Sequence, residues 1–73
     1  MAAIRNRVVS FSSDLSHSGH AEQFVEALRS RGIHATISHM PGGDFVIFKA
    51  KESYARVSAW AAPFGGFLMY EKG

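Results

Sequence analysis

Cysteine is absent from the 73 residues. That excludes disulfides, thiolate metal sites and a thiol nucleophile, and leaves packing as the source of stability. No apolar run reaches the length of a signal-peptide core or a membrane span, so a soluble, intracellular, cytoplasmic protein with no membrane partner is expected. Charge of one sign is also scarce, because eight Lys or Arg against six Asp or Glu give a net charge of +2. A binder that depends mainly on phosphate contacts carries a larger excess, so the charge permits nucleic acid without arguing for it. No internal repeat or long linker occurs, and the serine-rich stretch over residues 10–18 is only of loop length.

What the chain does contain is apolar and aromatic. Hydrophobic residues make up 47%, with six Phe, two Tyr and one Trp, which is the composition of an ordered domain and not of a disordered tail. The length suits a single domain over residues 1–73 with one modest core. So small a core has a small stability margin, and a homodimer or a larger partner is a natural way to cover apolar surface left outside it.

The periodicity divides the chain into six elements. Arg5–Ser12 reads as a strand, with Arg5, Arg7, Val9 and Phe11 on one face and Ile4, Asn6, Val8 and Ser10 on the other. After a loop in which Ser16 or Ser18 can cap, residues 19–31 read as a helix. Ala21, Phe24, Val25 and Leu28 form its apolar stripe, Glu26 lies three before Arg29, and Gly32 is its stop. Residues 33–39 alternate, with Ile33, Ala35 and Ile37 on one side and His34, Thr36 and Ser38 on the other. Pro41 and Gly42 suit the centre of a type II turn, so residues 44–49 return antiparallel, Phe45 and Ile47 pointing one way and Val46 and Phe48 the other. Ser53 caps a short second helix with Tyr54, Val57, Trp60 and Ala61 on its apolar side, and Pro63 ends it. Gly65 and Gly66 reopen the chain for a last strand over residues 67–71.

The order β-α-β-β-α-β, with right-handed crossovers, predicts a ferredoxin-like α+β sandwich: a four-stranded antiparallel sheet in the order 4-1-3-2 with both helices on one face. A β-α-β-β core whose second helix is a single turn, and a fourth strand exchanged within a dimer, fit the same pattern. A two-layer sandwich leaves one sheet face uncovered. If Val46 and Phe48 join Val9, Phe11, Ala35 and Ile37 beneath the helices, then Phe45 and Ile47 stand on the open face beside Asn6, Val8, Ser10, His34, Thr36 and Ser38. The opposite register in one strand, or a tail folded across the face, would cover them.

Within this frame Gly42-Gly43-Asp44-Phe45-Val46-Ile47-Phe48 resembles the tail of the third-strand signature of RNA-recognition-motif domains. The resemblance implies that Phe45 is a base-stacking aromatic. The chain departs from the signature at its head, with Pro41 at the basic position and Gly43 at the first outward aromatic, and strand one has no outward aromatic. Acylphosphatases share the strand order but need an arginine-bearing phosphate loop after strand one, and residues 12–18 hold no arginine.

Four histidines invite a metal reading, but His34 and His39 differ by five positions and face opposite ways on a strand, so no metal and no cofactor is expected. Asp14, Ser12, Ser13 and His17 lie in one loop without a nucleophile elbow or oxyanion signature, and helix capping accounts for the serines, so no catalytic residue is assigned. The expected binding residues are Phe45, Ile47, His34 and Thr36 on the open face, with Phe64, which either plugs the end of the sandwich or anchors a partner. Arg5, Arg7, Lys49, Lys51 and Arg56 form an expected basic rim. The reading that follows is a non-enzymatic regulator or inhibitor docked on a larger intracellular protein. The alternatives are a single-stranded RNA or DNA binder using the open face, and a homodimerising scaffold.

Overall fold

The computed structural model describes residues 4–12, 14 and 19–69. Its elements are β1 (Arg5–Ser12), α1 (His20–Ser30), β2 (Ala35–Met40), β3 (Gly43–Ala50), α2 (Tyr54–Ala61), a 3₁₀ turn (Ala62–Phe64) and β4 (Phe67–Leu68). The four strands form one sheet in the order β2-β3-β1-β4, and every pairing is antiparallel. Read from the other edge this is 4-1-3-2, so the chain has the ferredoxin-like sandwich that its periodicity predicts.

One cluster joins the helices to the sheet. Ala21, Phe24, Val25 and Leu28 of α1 and Val57 and Ala61 of α2 are buried with Val9, Phe11, Val46, Phe48, Ala50 and Leu68. Phe24 is fully buried at the centre, with ring centroids 5.8 Å from Phe11, 5.9 Å from Phe48 and 5.6 Å from Phe64. The approaches are tilted or edge-on, the geometry that the ring quadrupoles favour. Ala35, Ile37 and Ile33 border the cluster, so the inward faces of β1, β2 and β3 are those expected from alternation.

The helix ends show how local sequence sets the frame. α1 finishes in a Schellman motif: the Gly32 amide donates to the Arg29 carbonyl and the Ile33 amide to the Leu28 carbonyl, with Gly32 at φ 77°. At its start Gly19 holds the cap position at φ 75° with no side-chain cap; the expected capping serines, Ser16 and Ser18, lie outside the described residues. In α2 the Ser53 hydroxyl accepts from the Arg56 amide at 3.3 Å, which is the expected cap. Glu26 and Arg29 form the anticipated surface pair at 2.9 Å.

Three local expectations need correction. Pro41 and Gly42 do form a two-residue loop between paired Met40 and Gly43, but the positive φ, 143°, belongs to Gly43 and not to Gly42. A Cβ there would lie 2.1 Å from the Phe11 carbonyl oxygen, so β3 starts where only glycine lets it approach β1. β2 begins at Ala35, two residues late, because Ile33 is still engaged in closing α1. Among the described residues the last strand spans Phe67–Leu68, extended by one bond from the Met69 amide to the Val8 carbonyl at 2.8 Å; residues 70 and 71 lie outside the described residues.

Candidate functional site: the open sheet face and its basic end

The strand registers place the open-face residues in transverse rows. One row is Ser38, Phe45, Ser10 and Phe67, running from β2 across β3 and β1 to β4. The next is Thr36, Ile47 and Val8, with Met69 continuing beside Val8 through its backbone bond. Rows lie about 7 Å apart along the strands, since two residues separate them. Beyond the second row Lys49 pairs with Asn6, and His34 joins them in a shallow groove of about 390 Å³ together with Thr36 and Ile47.

This face is apolar and open. Phe67 is 66% exposed, Met69 44% and Ile47 42%, while Phe45 and Val8 are half-buried. Between them stand small polar groups, of which the Ser10 hydroxyl donates to the Phe67 carbonyl at 3.4 Å. Lys49 is the only fully charged side chain among the described residues of these rows. The register brings Phe45, Ile47 and Thr36 together on one face, and His34 lines the groove at its end.

Phe67 and Met69 belong to the same surface and were not singled out by sequence reasoning. Phe67, Leu68 and Met69 are all apolar, so no alternation distinguishes the strand's inner side from its outer. Pairing with β1 decides it: Leu68 opposes buried Val9, which puts Phe67 outward beside Ser10.

Phe64 has a different place. Its ring packs on Phe24 inside the end of the sandwich, half-buried, and its carbonyl is 3.0 Å from His20 Nδ1. In this position it plugs the end of the sandwich.

The basic rim divides. Arg7 points to the helix side of the sheet and is 7% exposed, with Nη2 donating to the Glu52 carbonyl at 3.1 Å, so it does not belong to an exposed rim. Arg5 is exposed opposite Ala50, and Arg56 is exposed on α2. Lys49 and Lys51 instead line an open groove of about 690 Å³ with Ile4, Ile33, Ala50, Glu52, Trp60 and Arg31. Arg31 was not anticipated there; its guanidinium sits 4.4 Å from the centroid of the half-buried Trp60 ring. The contact joins the last turn of α1 to α2 across about thirty positions of sequence, too far for any local pattern to reveal.

The remaining histidines are individually engaged or isolated. His39 Nδ1 lies 2.8 Å from Asp44 Oδ1, which is buried, and His20 is held on Phe64. Among the described residues no three His, Asp or Glu side chains converge as metal ligands would. His17 lies outside the described residues.

Comparison with protein-family models, with curated proteins and with solved structures returns no match for this chain. No described helix is long and apolar enough to cross a membrane.

Proposed function

We propose that this chain is a small non-enzymatic binding protein, a regulator or inhibitor that docks its open sheet face on a larger intracellular protein. The observation that carries the reading is the row of Ile47, Val8 and Met69 set against Phe45 and Phe67. Aliphatic and aromatic side chains on adjacent strands, with serine and threonine between them and a single lysine at one end, make an apolar patch with a polar margin. Such a patch gains by removing its area from water at about 25 cal/mol per Å² before the costs of association. Large exposed apolar side chains grouped on one face mark an interaction surface more often than scattered ones do.

The test is affinity capture with the full-length chain, comparing the original sequence with Ile47→Asp and Phe67→Asp. A protein retained by the original and lost with both substitutions supports the reading, whereas retention unaffected by either overturns it. If the retained species is a second copy, sedimentation equilibrium will give a dimer that Ile47→Asp dissociates, and the homodimeric reading replaces docking on a larger protein.

A second reading is favoured by one observation. Phe45 and Phe67 flank Ser10 from the two neighbouring strands, about 10 Å apart at two strand spacings. Two outward aromatics with small residues between them can stack two bases of a single strand, each worth about 1–3 kcal/mol. Loss of oligonucleotide affinity in Phe45→Ala and Phe67→Ala, with a steep fall on added salt, supports it; salt-insensitive or absent binding removes it.

A further inference from the structure

The groove at the far end of the sheet from the β2–β3 hairpin has a chemistry that the open face lacks. Arg31, Lys49 and Lys51 converge on it against the single carboxylate of Glu52, over a floor that includes Trp60 and Ile33. None of the three cations has an ion-pair partner among the described residues. Like charges gathered in one concavity repel one another, and an anion placed among them relieves that repulsion.

One feature makes the groove more than a charged surface. The contact of Arg31 with Trp60 positions the guanidinium over an aromatic ring, which restrains a long side chain that would otherwise lose rotamer freedom on binding. An apolar, partly aromatic floor bordered by cations, with one carboxylate able to accept a hydrogen bond, fits a planar base carrying a phosphate.

We propose that this groove is a nucleotide site, with the phosphate held between Arg31, Lys49 and Lys51 and the base laid toward Trp60 and Ile33. The same chemistry is offered by a free nucleotide and by one residue of a single strand. A strand has a way onward, because Ile33 and Lys49 also line the adjoining groove with Asn6, His34 and Thr36 at the margin of the open face. The groove and the docking patch meet at Lys49, while Phe67 and Met69 of the patch lie on β4, away from the groove.

Trp60 is the only tryptophan, so its emission reports on the groove directly. The full chain is titrated with adenosine monophosphate and, separately, with an oligothymidylate of about eight nucleotides, a length within single-strand site sizes. The expected result is a saturable change in Trp60 emission with at least one probe, weakened about tenfold or more by the Lys49→Gln, Lys51→Gln pair, since each removes a charge-assisted contact. Equal affinities for the two probes identify a free nucleotide. Tighter oligothymidylate binding, with log affinity falling against log salt by about 0.7 for each strand phosphate neutralised, identifies a strand. Failure of both probes to saturate by about 1 mM, the weak end of specific affinities, overturns the site, as does binding that the paired lysine substitution leaves intact. Phe67→Asp serves as the separating control: it disables the open face and is expected to leave the adenosine monophosphate titration unchanged.

Discussion

Gly66 lies directly beneath Val9, so close that a Cβ built on it would stand 2.6 Å from Val9 Cγ1 and 2.8 Å from Phe11 Cζ. Val9 is fully buried and Phe11 is 2% exposed, so neither has solvent to move into. The φ of Gly66 is not positive, which leaves sterics as the reason for glycine. Gly66→Ala is therefore expected to overpack the core at a cost of about 1–3 kcal/mol. At roughly 4–8 °C per kcal/mol for a domain of this size, thermal unfolding followed by circular dichroism will show a lowered Tm. Gly42→Ala is the matched control, with open space around its Cβ and no positive φ, and it is expected to be neutral or to raise stability by about 0.4–1 kcal/mol.

Phe24 is the side chain on which the two layers meet. It touches aromatic rings from β1, β3 and the 3₁₀ turn, and no rearrangement of one neighbour can fill the space it occupies. Phe24→Ala is expected to cost about 3–5 kcal/mol, a large share of the stability of so small a domain. Phe64→Ala removes only one of these contacts from a half-buried position and should cost less. Denaturant titrations of the two variants give the order; a Phe64→Ala loss as large as that of Phe24→Ala would contradict the central place assigned to Phe24.

His39 and Asp44 face each other at the β2–β3 pairing, with the carboxylate buried and the imidazole side chain 69% exposed. Asp44 depends on that contact because burial denies it water, while His39 does not. Removing the imidazole in His39→Ala is expected to cost about 1 kcal/mol, the exposed half of the pair limiting the effect. A double-mutant cycle with Asp44→Ala measures the coupling, and a coupling energy of zero would show the contact to be incidental.

The parts of this architecture that were legible are those written in short-range pattern. Alternation in Ala35-Thr36-Ile37-Ser38 gave the facing of β2, Gly32 gave the end of α1, and Ser53 gave the start of α2. The parts that were not legible depend on partners far along the chain. Arg7 reads as a surface charge until the carbonyl of Glu52, forty-five positions away, is found to receive it. Phe67 and Met69 become surface residues only through pairing with β1, because an unbroken apolar run carries no period. The basic end shows both cases: Lys49 and Lys51 were visible as a pair, whereas Arg31 was drawn in by Trp60 from another helix.

The open face and the core alternate along β3, residue by residue. Val46 is fully buried beneath the helices and Ile47, the next residue, is 42% exposed on the other face. Val46→Asp places an unpaired carboxylate in the core, a change expected to cost several kcal/mol and leave the chain unfolded. Ile47→Asp places the same group partly in water, where it should alter stability by about 1 kcal/mol or less despite the β-propensity it gives up. The two variants thus separate folding from docking: far-ultraviolet circular dichroism should be retained by Ile47→Asp and lost by Val46→Asp. If Ile47→Asp unfolds the chain as well, Ile47 belongs to a covered face, and the open surface from which docking was inferred does not exist in solution.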